Sequence, residues 1–239
     1  METVDSDYDF SHVHASLDKY VQDDLLVMAA SVVLDGQDIV DVHLAGHQDR
    51  EAERLIQADS IYRIYSSTKL ITSCAAMMLW EEGQFQLDDP LRDYLPELGS
   101  LNVVKDGAND VGLVEPVAVE PTIRQLMCHN AGFSYGLFAE SLVDPIYTAA
   151  GVSAPTATLE DMVRKLGDIP LAYQPGRRWQ YSVSVDVLGR LIEILSGLRF
   201  GEFLSQRIFE PLGMIDLSLI HISEPTRPLY ISYAVFCLK

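Results

Sequence analysis

The sequence predicts an α+β fold in which a strand pair and several helices form a core and a helical segment is inserted between them. Two runs rich in β-branched residues, 25–34 and 38–45, are separated by an Asp-Gly-Gln turn, which is the pattern of a β-hairpin. Residues 66–82 carry the apolar spacing of a long helix, and Gly83 follows where a helix commonly ends in a left-handed residue. Residues 84–180 are interrupted by Pro and Gly, which is typical of an irregular helical insertion.

Each remaining helix has a local signal of its own. Apolar residues recur at helical spacing in residues 10–24, which predicts an amphipathic helix. Thr122 and Thr158 each precede a Gln or Asp by three residues, as in the capping box at a helix N-terminus. A final pair of helices is expected at 185–195 and 200–208.

The composition excludes several function classes. The 239 residues include 17 Lys and Arg against 35 Asp and Glu, a formal net charge of -18. Such a charge repels phosphate backbones and anionic lipid, so neither nucleic acid nor a membrane surface is an expected partner. No apolar run approaches the ~20 residues of a membrane span, and the acidic N-terminus is unlike a secretory signal. The chain is therefore predicted to be cytoplasmic, with no cofactor, and its three cysteines fit a reducing compartment.

The last 23 residues, 217–239, depart from the pattern of the preceding chain. Back-translation of 217–227 fits a transposase-type sequencing adapter, and 231–238 fits the flow-cell end of such an adapter. We therefore predict that 217–239 is an artefact and that the natural protein is represented only to Asp216. The alternative is a genuine C-terminal strand, because the segment is rich in Ile, Tyr, Val and Phe.

The chemistry of the chain is concentrated at the start of the long helix. Ser66 and Lys69 are three residues apart, which brings their side chains together on one helix face. A serine hydroxyl needs a partner that takes its proton, and a desolvated amine near a helix N-terminus can act as that base. From the spacing alone, an N-cap serine followed by a solvated lysine is the favoured interpretation.

Five segments together resemble the serine β-lactamase and penicillin-binding-protein superfamily, in its class C-like branch, and are most similar to its carboxylesterases. They are 62–69 (YRIYSSTK), 77–90 (MMLWEEGQFQLDDP), 122–132 (TIRQLMCHNAG), 174–182 (QPGRRWQYS) and 209–214 (FEPLGM). The resemblance implies a β-lactamase/transpeptidase-like fold, in which an α/β domain packs on an all-helical domain. It divides the chain into a partial α/β core at 1–84 and 182–216 and a helical lid at 85–181.

The resemblance also implies the catalytic residues and the reaction. Ser66 is the expected nucleophile, Lys69 its deprotonating neighbour, and Tyr181 the active-site tyrosine. A cation stabilises a nearby phenolate, so Lys69 and Tyr181 are treated as one coupled unit, and which of them takes the proton stays open. The expected reaction is acyl transfer through an acyl-Ser66 intermediate that water hydrolyses, with a small ester or amide as substrate.

Two departures from the family pattern bear on activity. Val183 occupies the position of the Asn in the lactamase-type Tyr-x-Asn motif, which favours simple esters over β-lactams and peptides. The third motif, a Lys-Thr-Gly-like or His/Trp-x-Gly triplet on a C-terminal strand, has no counterpart before Asp216. That strand normally supplies the second oxyanion donor, so only the N-terminal portion of the fold is expected, with C-terminal strands missing, and this chain is predicted to be inactive.

Four other features invite a catalytic interpretation that the sequence does not favour. Residues 132–136 fit G-x-S-x-G, but Ser134 follows a capped helix rather than a buried strand, so we expect a loop serine. His129 lies nearby and is expected to bond lid backbone. His43 and His47 are four apart without a helical context, so no metal site is predicted. Cys74 is expected to lie in the core.

Three functions stay open beside the esterase, and one of them is acyl transfer to an alcohol in place of water. Within the enzymes, the alternative is a β-lactamase or D-Ala-D-Ala peptidase. In another class, a catalytically dead relative binds acyl or peptidoglycan-like ligands as a sensor. The oligomeric state is not predicted.

Overall fold

The computed structural model describes residues 2–136, 141–154, 157–217 and 235–237. They fall into two compact units, the first Met1–Tyr62 with Phe236–Lys239 and the second Arg63–Val235. No helix in these described ranges is long and apolar enough to cross a membrane. The adapter prediction for 217–239 lies outside the described residues, except at Leu217 and 235–237.

The first unit is a small antiparallel sheet with one helix on it. The helix, α1, is Ser11–Gln22, and the strands are β1, Met28–Asp35, β2, Asp38–Asp49, and β3, Arg54–Leu55, in the order β1-β2-β3. The register opposes Val32 to Val42 and closes at Asp35 and Asp38, so the predicted hairpin is confirmed. A further strand, β4 at Ile61–Arg63, pairs with β7 at Val235–Cys237.

Two reciprocal His–Asp pairs join α1 to β2. His14 Nε2 on α1 is 2.9 Å from both carboxylate oxygens of Asp41 on β2, and His43 Nε2 on β2 is 2.8 Å from Asp18 Oδ1 on α1. The two imidazole rings stack with centroids 4.2 Å apart. No residue of α1 is fully buried, so this polar cluster is a main attachment of the helix to the sheet.

The second unit is mostly helical. Its helices are α2, Thr68–Glu81, α3, Ile123–Met127, α4, Asp144–Ala149, α5, Leu159–Gly167, α6, Ser184–Ser196, and α7, Phe200–Leu204. Short 3-10 turns cover Tyr65–Ser67, Leu91–Asp93 and Pro96–Leu98, and a π-type turn covers Ser205–Phe209. Two strands, β5 at Asn102–Val104 and β6 at Val114–Pro116, form an antiparallel pair.

Packing of α6 against α2 positions the two ends that carry the predicted catalytic residues. Ala75, Ala76 and Leu79 of α2 are buried, and α6 buries both its first turn and its Leu191–Ile192 face. Small side chains allow two helix backbones to approach closely. Ser66 and Lys69 lie at the start of α2, and Tyr181 lies three residues before α6, so this packing brings distant sequence segments together.

Most predicted elements are confirmed, and so is the α+β class. Both capping boxes are present: each threonine hydroxyl accepts a hydrogen bond from the backbone N–H three residues on. Gly83 has a φ of +73°, as a helix end of this kind requires. The division into a core at 1–84 and 182–216 and a lid at 85–181 stays a prediction.

Three local expectations differ from the structure. The long helix begins as a 3-10 turn at Tyr65–Ser67 and becomes α-helical only at Thr68. The β5–β6 hairpin within the predicted helical insertion was not expected, because three-residue strands leave almost no periodicity. Cys74 is exposed, so its predicted place in the core is wrong. It lies on the face of α2 opposite the buried Ala75 and Ala76, and its apolar character did not distinguish that face from the buried one.

We expect Asp41→Ala to lower the free energy of unfolding by about 1–2 kcal/mol, because the largely buried carboxylate is the partner of His14. Asp38→Ala is the matched control, since Asp38 is an exposed aspartate on the same strand. Urea unfolding followed by circular dichroism measures both. Equal losses in the two variants would contradict the role given to the His–Asp pairs.

Candidate active site

Ser66 lies in a turn whose backbone is strained at the preceding residue, Tyr65. Tyr65 has a φ of +42°, a left-handed conformation that a non-glycine residue rarely adopts. The 3-10 turn Tyr65–Ser67 then leads directly into α2, and the Ser66 side chain is exposed. Strain of this kind persists only where the surrounding structure holds it, and it concentrates at functional sites.

The structure brings the three predicted catalytic residues together. Ser66 Oγ and Tyr181 Oη are 2.5 Å apart in a hydrogen bond in which either atom can donate. Lys69 Nζ donates to Ser66 Oγ at 3.4 Å. The serine hydroxyl therefore contacts two groups that can take or hold its proton, which is the geometry that activation of a nucleophile needs.

Lys69 is buried against aromatic rings. Its exposed fraction is 9%, and its Nζ lies 4.9 Å from the ring centroid of Tyr181 and 5.6 Å from that of Tyr135. The ion pairs found among the described residues do not include Lys69. Its charge is stabilised by ring faces and by the serine hydroxyl, and this arrangement leaves it directed at Ser66 and Tyr181.

The aromatic rings of His129 and Tyr135, two residues distant in the sequence, pack on the Tyr181 ring. The His129 ring is stacked with it at a centroid distance of 5.0 Å and the Tyr135 ring at 5.4 Å. Burial, followed by the nearby Asp186 and Tyr181, raises the pKa of Tyr135, so Tyr135 remains a neutral phenol. These contacts hold the orientation of the ring that carries Tyr181 Oη.

His129 is a neutral base in this site. Burial, with a smaller contribution from the charge of Lys69, lowers its pKa to about 4. Its Nδ1 accepts the backbone N–H of Ser182 at 3.2 Å and lies 3.2 Å from Ser182 Oγ. The expected bond to lid backbone is present at the His129 carbonyl, which accepts the Gln180 N–H at 2.9 Å, whereas the ring bonds the backbone N–H of Ser182, one residue beyond the predicted lid.

Ser134 is a loop residue and not an exposed nucleophile. It is only 1% exposed, its hydroxyl donates to the Asp144 carboxylate, and it accepts from Gln180 Nε2 at 2.8 Å. The nucleophile of a G-x-S-x-G elbow is exposed at the end of a sheet. Ser134 meets neither condition, so it forms part of a buried polar cluster.

Val183 and the histidines of the first unit complete the set of predicted residues. Val183 is 1% exposed. Because its side chain is a hydrocarbon, this position presents no amide. His43 bonds Asp18 as described above. Among the described residues no group of three His, Cys, Asp or Glu is arranged to hold a metal ion.

Sequence reasoning missed the contacts that hold Tyr181. Tyr135 lies inside the G-x-S-x-G match and His129 inside the segment 122–132, but neither motif predicts a contact with Tyr181. Their contacts with Tyr181 join residues about 50 apart, and no local pattern reports such a separation. A buried aromatic cluster around a lysine becomes visible only in three dimensions.

Comparison with known proteins identifies relatives over nearly the whole chain. The family profile described as "Beta-lactamase" matches residues 13–233. The sequence is 31% identical over 219 residues to Esterase EstB of Burkholderia gladioli, covering 91% of this chain and 53% of that protein. It is 34% identical over 161 residues to Lovastatin esterase of Penicillium rubens, covering 67% and 40%. The chain thus spans about half the length of the curated relatives it matches.

The fold is shared with solved structures. The structure of "EstCE1, a hydrolase with promiscuous acyltransferase activity" superimposes with a TM-score of 0.74 at 22% sequence identity. That alignment covers 92% of this chain and 55% of the other. The β-lactamase/transpeptidase-like fold expected from the sequence is confirmed for this part of it.

The lowered pKa of His129 predicts how stability changes with pH. An unfolded histidine binds a proton near pH 6.5, whereas the folded one does so only near 4. Between these values the unfolded state binds more protons, so the free energy of unfolding falls as the pH falls from about 6.5 to about 4. We expect His129→Asn to lose less stability over this range than the unchanged chain. Urea unfolding at about pH 7 and about pH 5 measures the loss of unfolding free energy in each protein. An equal loss in the variant and the unchanged chain would contradict the burial assigned to His129.

Proposed function

The chain belongs to the beta-lactamase family, and we propose that within it the chain is a serine hydrolase that forms an acyl-enzyme on Ser66 and acts on carboxylic esters. One observation carries the proposal: Ser66 Oγ contacts both Tyr181 Oη and Lys69 Nζ. Because a serine hydroxyl is a weak nucleophile until its proton is removed, these two contacts supply what the reaction needs.

The geometry supports a two-step reaction. In the first step Ser66 Oγ attacks the ester carbonyl carbon, its proton passes to the Tyr181–Lys69 unit, and that proton then goes to the departing alkoxide as the C–O bond breaks. In the second step water gives a proton to the same unit and attacks the acyl carbon, and Ser66 Oγ leaves with a proton restored. The Ser66 backbone N–H is one expected donor to the oxyanion.

Carboxylic esters are the proposed substrates for two reasons. The curated relatives at 31% and 34% identity are named as esterases. Val183 is buried and apolar, so the site lacks a side-chain amide at the position where the lactamase-type motif has Asn. A site without that donor does not select for an acylamino substituent, which leaves simple esters as the better match.

The oxyanion hole of this chain is proposed to be incomplete. No Lys-Thr-Gly or His/Trp-x-Gly triplet occurs in residues 1–216. The Lys-x-Gly triplets at 105–107 and 165–167 follow β5 and end α5 and do not lie on a C-terminal strand, so we expect no second backbone donor from these residues. Loss of one such donor lowers the turnover rate by about 100-fold to 1,000-fold. The Ser66 nucleophile and its two neighbours do not depend on that donor for their contacts.

We expect excess fluorophosphonate to label the 239-residue chain once, at Ser66, because the reagent needs an activated serine more than a complete oxyanion hole. Intact-mass spectrometry with peptide mapping measures the site. Ser66→Ala should abolish the label, and Ser67→Ala, a change to the exposed neighbouring serine, should keep it. Failure to label Ser66 would favour the alternative of a catalytically dead ligand-binding relative.

We expect the 239-residue chain to show little steady-state hydrolysis of p-nitrophenyl butyrate, whereas a form that carries the third motif hydrolyses it. In that longer form the ester should react faster than a chromogenic cephalosporin, because no amide stands at position 183. Absorbance assays of released p-nitrophenol and of the opened cephalosporin compare the two. Faster reaction of the cephalosporin would favour a β-lactamase.

A further inference from the structure

His129 bonds the backbone N–H groups of the two residues that flank Tyr181. Its carbonyl oxygen accepts the backbone N–H of Gln180 at 2.9 Å, and its Nδ1 accepts the backbone N–H of Ser182 at 3.2 Å. Its ring is also stacked on the Tyr181 ring. One residue therefore contacts the residue before Tyr181, the residue after it, and its side chain.

His129 makes these contacts from a left-handed backbone conformation, with a φ of +54°. Histidine adopts this conformation several times more often than most residues do, although less easily than glycine. The conformation follows the end of α3, where the His129 N–H bonds the Leu126 carbonyl at 3.1 Å. The helix is fixed at its other end by the Thr122 capping box and packs against α6, so His129 is attached to a well-held element.

The contact to Ser182 determines the tautomer of the imidazole. A backbone N–H can only donate, so Nδ1 must present a lone pair, and the ring hydrogen of the neutral form lies on Nε2. A protonated ring would direct an Nδ1 hydrogen at the Ser182 N–H and break this contact. Burial and the positive charge of Lys69 lower the pKa of His129, which keeps the ring neutral while Lys69 is charged.

We propose that His129 is a positioning residue that clamps the Gln180–Ser182 backbone and so holds Tyr181 Oη against Ser66 Oγ, a role that rests on the proposed function of Tyr181. The contact to be maintained is short, at 2.5 Å between the two oxygens. Displacement of a catalytic group by about 1 Å can lower a rate about 100-fold. His129 itself transfers no proton in this arrangement, since Nδ1 is occupied by the Ser182 N–H.

Two variants separate the acceptor from the backbone strain. His129→Asn keeps an acceptor close to the position of Nδ1, and His129→Gly removes it, while both residues tolerate a positive φ. We expect the rate constant for fluorophosphonate labelling of Ser66 to fall about 10-fold to 100-fold in His129→Gly. His129→Asn should retain most of the rate. Equal losses in both variants would overturn the role of the acceptor.

A double-mutant cycle with Tyr181→Phe distinguishes positioning from general destabilisation. If His129 acts through Tyr181, His129→Gly should lower the labelling rate little further once the phenol hydroxyl is gone. A structural role elsewhere in the site would produce the same fold-loss in both backgrounds, and that outcome would overturn the proposal. Circular dichroism of all variants, compared at one temperature, confirms that each is folded.

A measurement on the unchanged chain tests the clamp separately from catalysis. The ¹⁵N chemical shifts of the His129 ring near pH 7 should show a neutral imidazole with its hydrogen on Nε2. A hydrogen on Nδ1, or a doubly protonated ring, would overturn the clamp even if Ser66 is labelled. Failure of Ser66 labelling with the expected tautomer would instead count against the proposed function and remove the catalytic consequence of the clamp.

Discussion

The site depends on one contact, the 2.5 Å hydrogen bond between Ser66 Oγ and Tyr181 Oη, which joins residues 115 apart in the sequence. A contact of this length tolerates little movement of either partner. Ser66 is fixed by the strained turn that starts α2, and Tyr181 by the segment that leads into α6. The packing of α2 on α6 therefore determines whether Ser66, the proposed nucleophile, and the phenol of Tyr181 meet.

Burial of Lys69 gives this contact its chemical character. A charge taken out of water is destabilising unless polar or π-electron partners replace its hydration. Two ring faces and the Ser66 hydroxyl take that place, so the charge remains directed at the serine and the phenol. The same charge disfavours a second proton on His129, whose ring is stacked on the Tyr181 ring. One buried cation thus acts on Ser66, on Tyr181 and on His129.

The features that could be predicted from the sequence are those with a local or a familial signature. The capping boxes at Thr122 and Thr158 and the hairpin at 25–45 follow from residue chemistry within a few positions, and all three are present. The S-x-x-K spacing located Ser66 and Lys69, whereas Tyr181 came only from the resemblance to a family. Spacing alone favoured an N-cap serine. In the structure Ser66 belongs to a 3-10 turn and its hydroxyl bonds Tyr181.

Other features have no local signature. The β5–β6 hairpin consists of three-residue strands, too short for alternation to be distinguished from chance. Cys74 was predicted to lie on the buried side of α2, but α2 is apolar on more than one face, and periodicity cannot say which apolar face another element covers. The His129 contacts depend on how the 129–134 loop folds back over residues 180–183.

That loop explains why a serine-hydrolase motif occurs where no nucleophile is present. Five hydrogen bonds join residues 129–134 to residues 180–183: Gln180 N–H to the His129 carbonyl, Ser182 N–H and Ser182 Oγ to His129 Nδ1, Gln180 Nε2 to Ser134 Oγ, and Val183 N–H to the Ser134 carbonyl. The buried Asp144 carboxylate accepts from the Ser134 hydroxyl and from the Gly136 and Ser141 N–H groups. A buried charge with three donors is well satisfied, and loss of one donor would leave part of it uncompensated. The hydrogen bonds that hold the segment around Tyr181 therefore account for a serine at position 134. The glycines at 132 and 136 have positive φ values, so the turn accounts for them without any catalytic role.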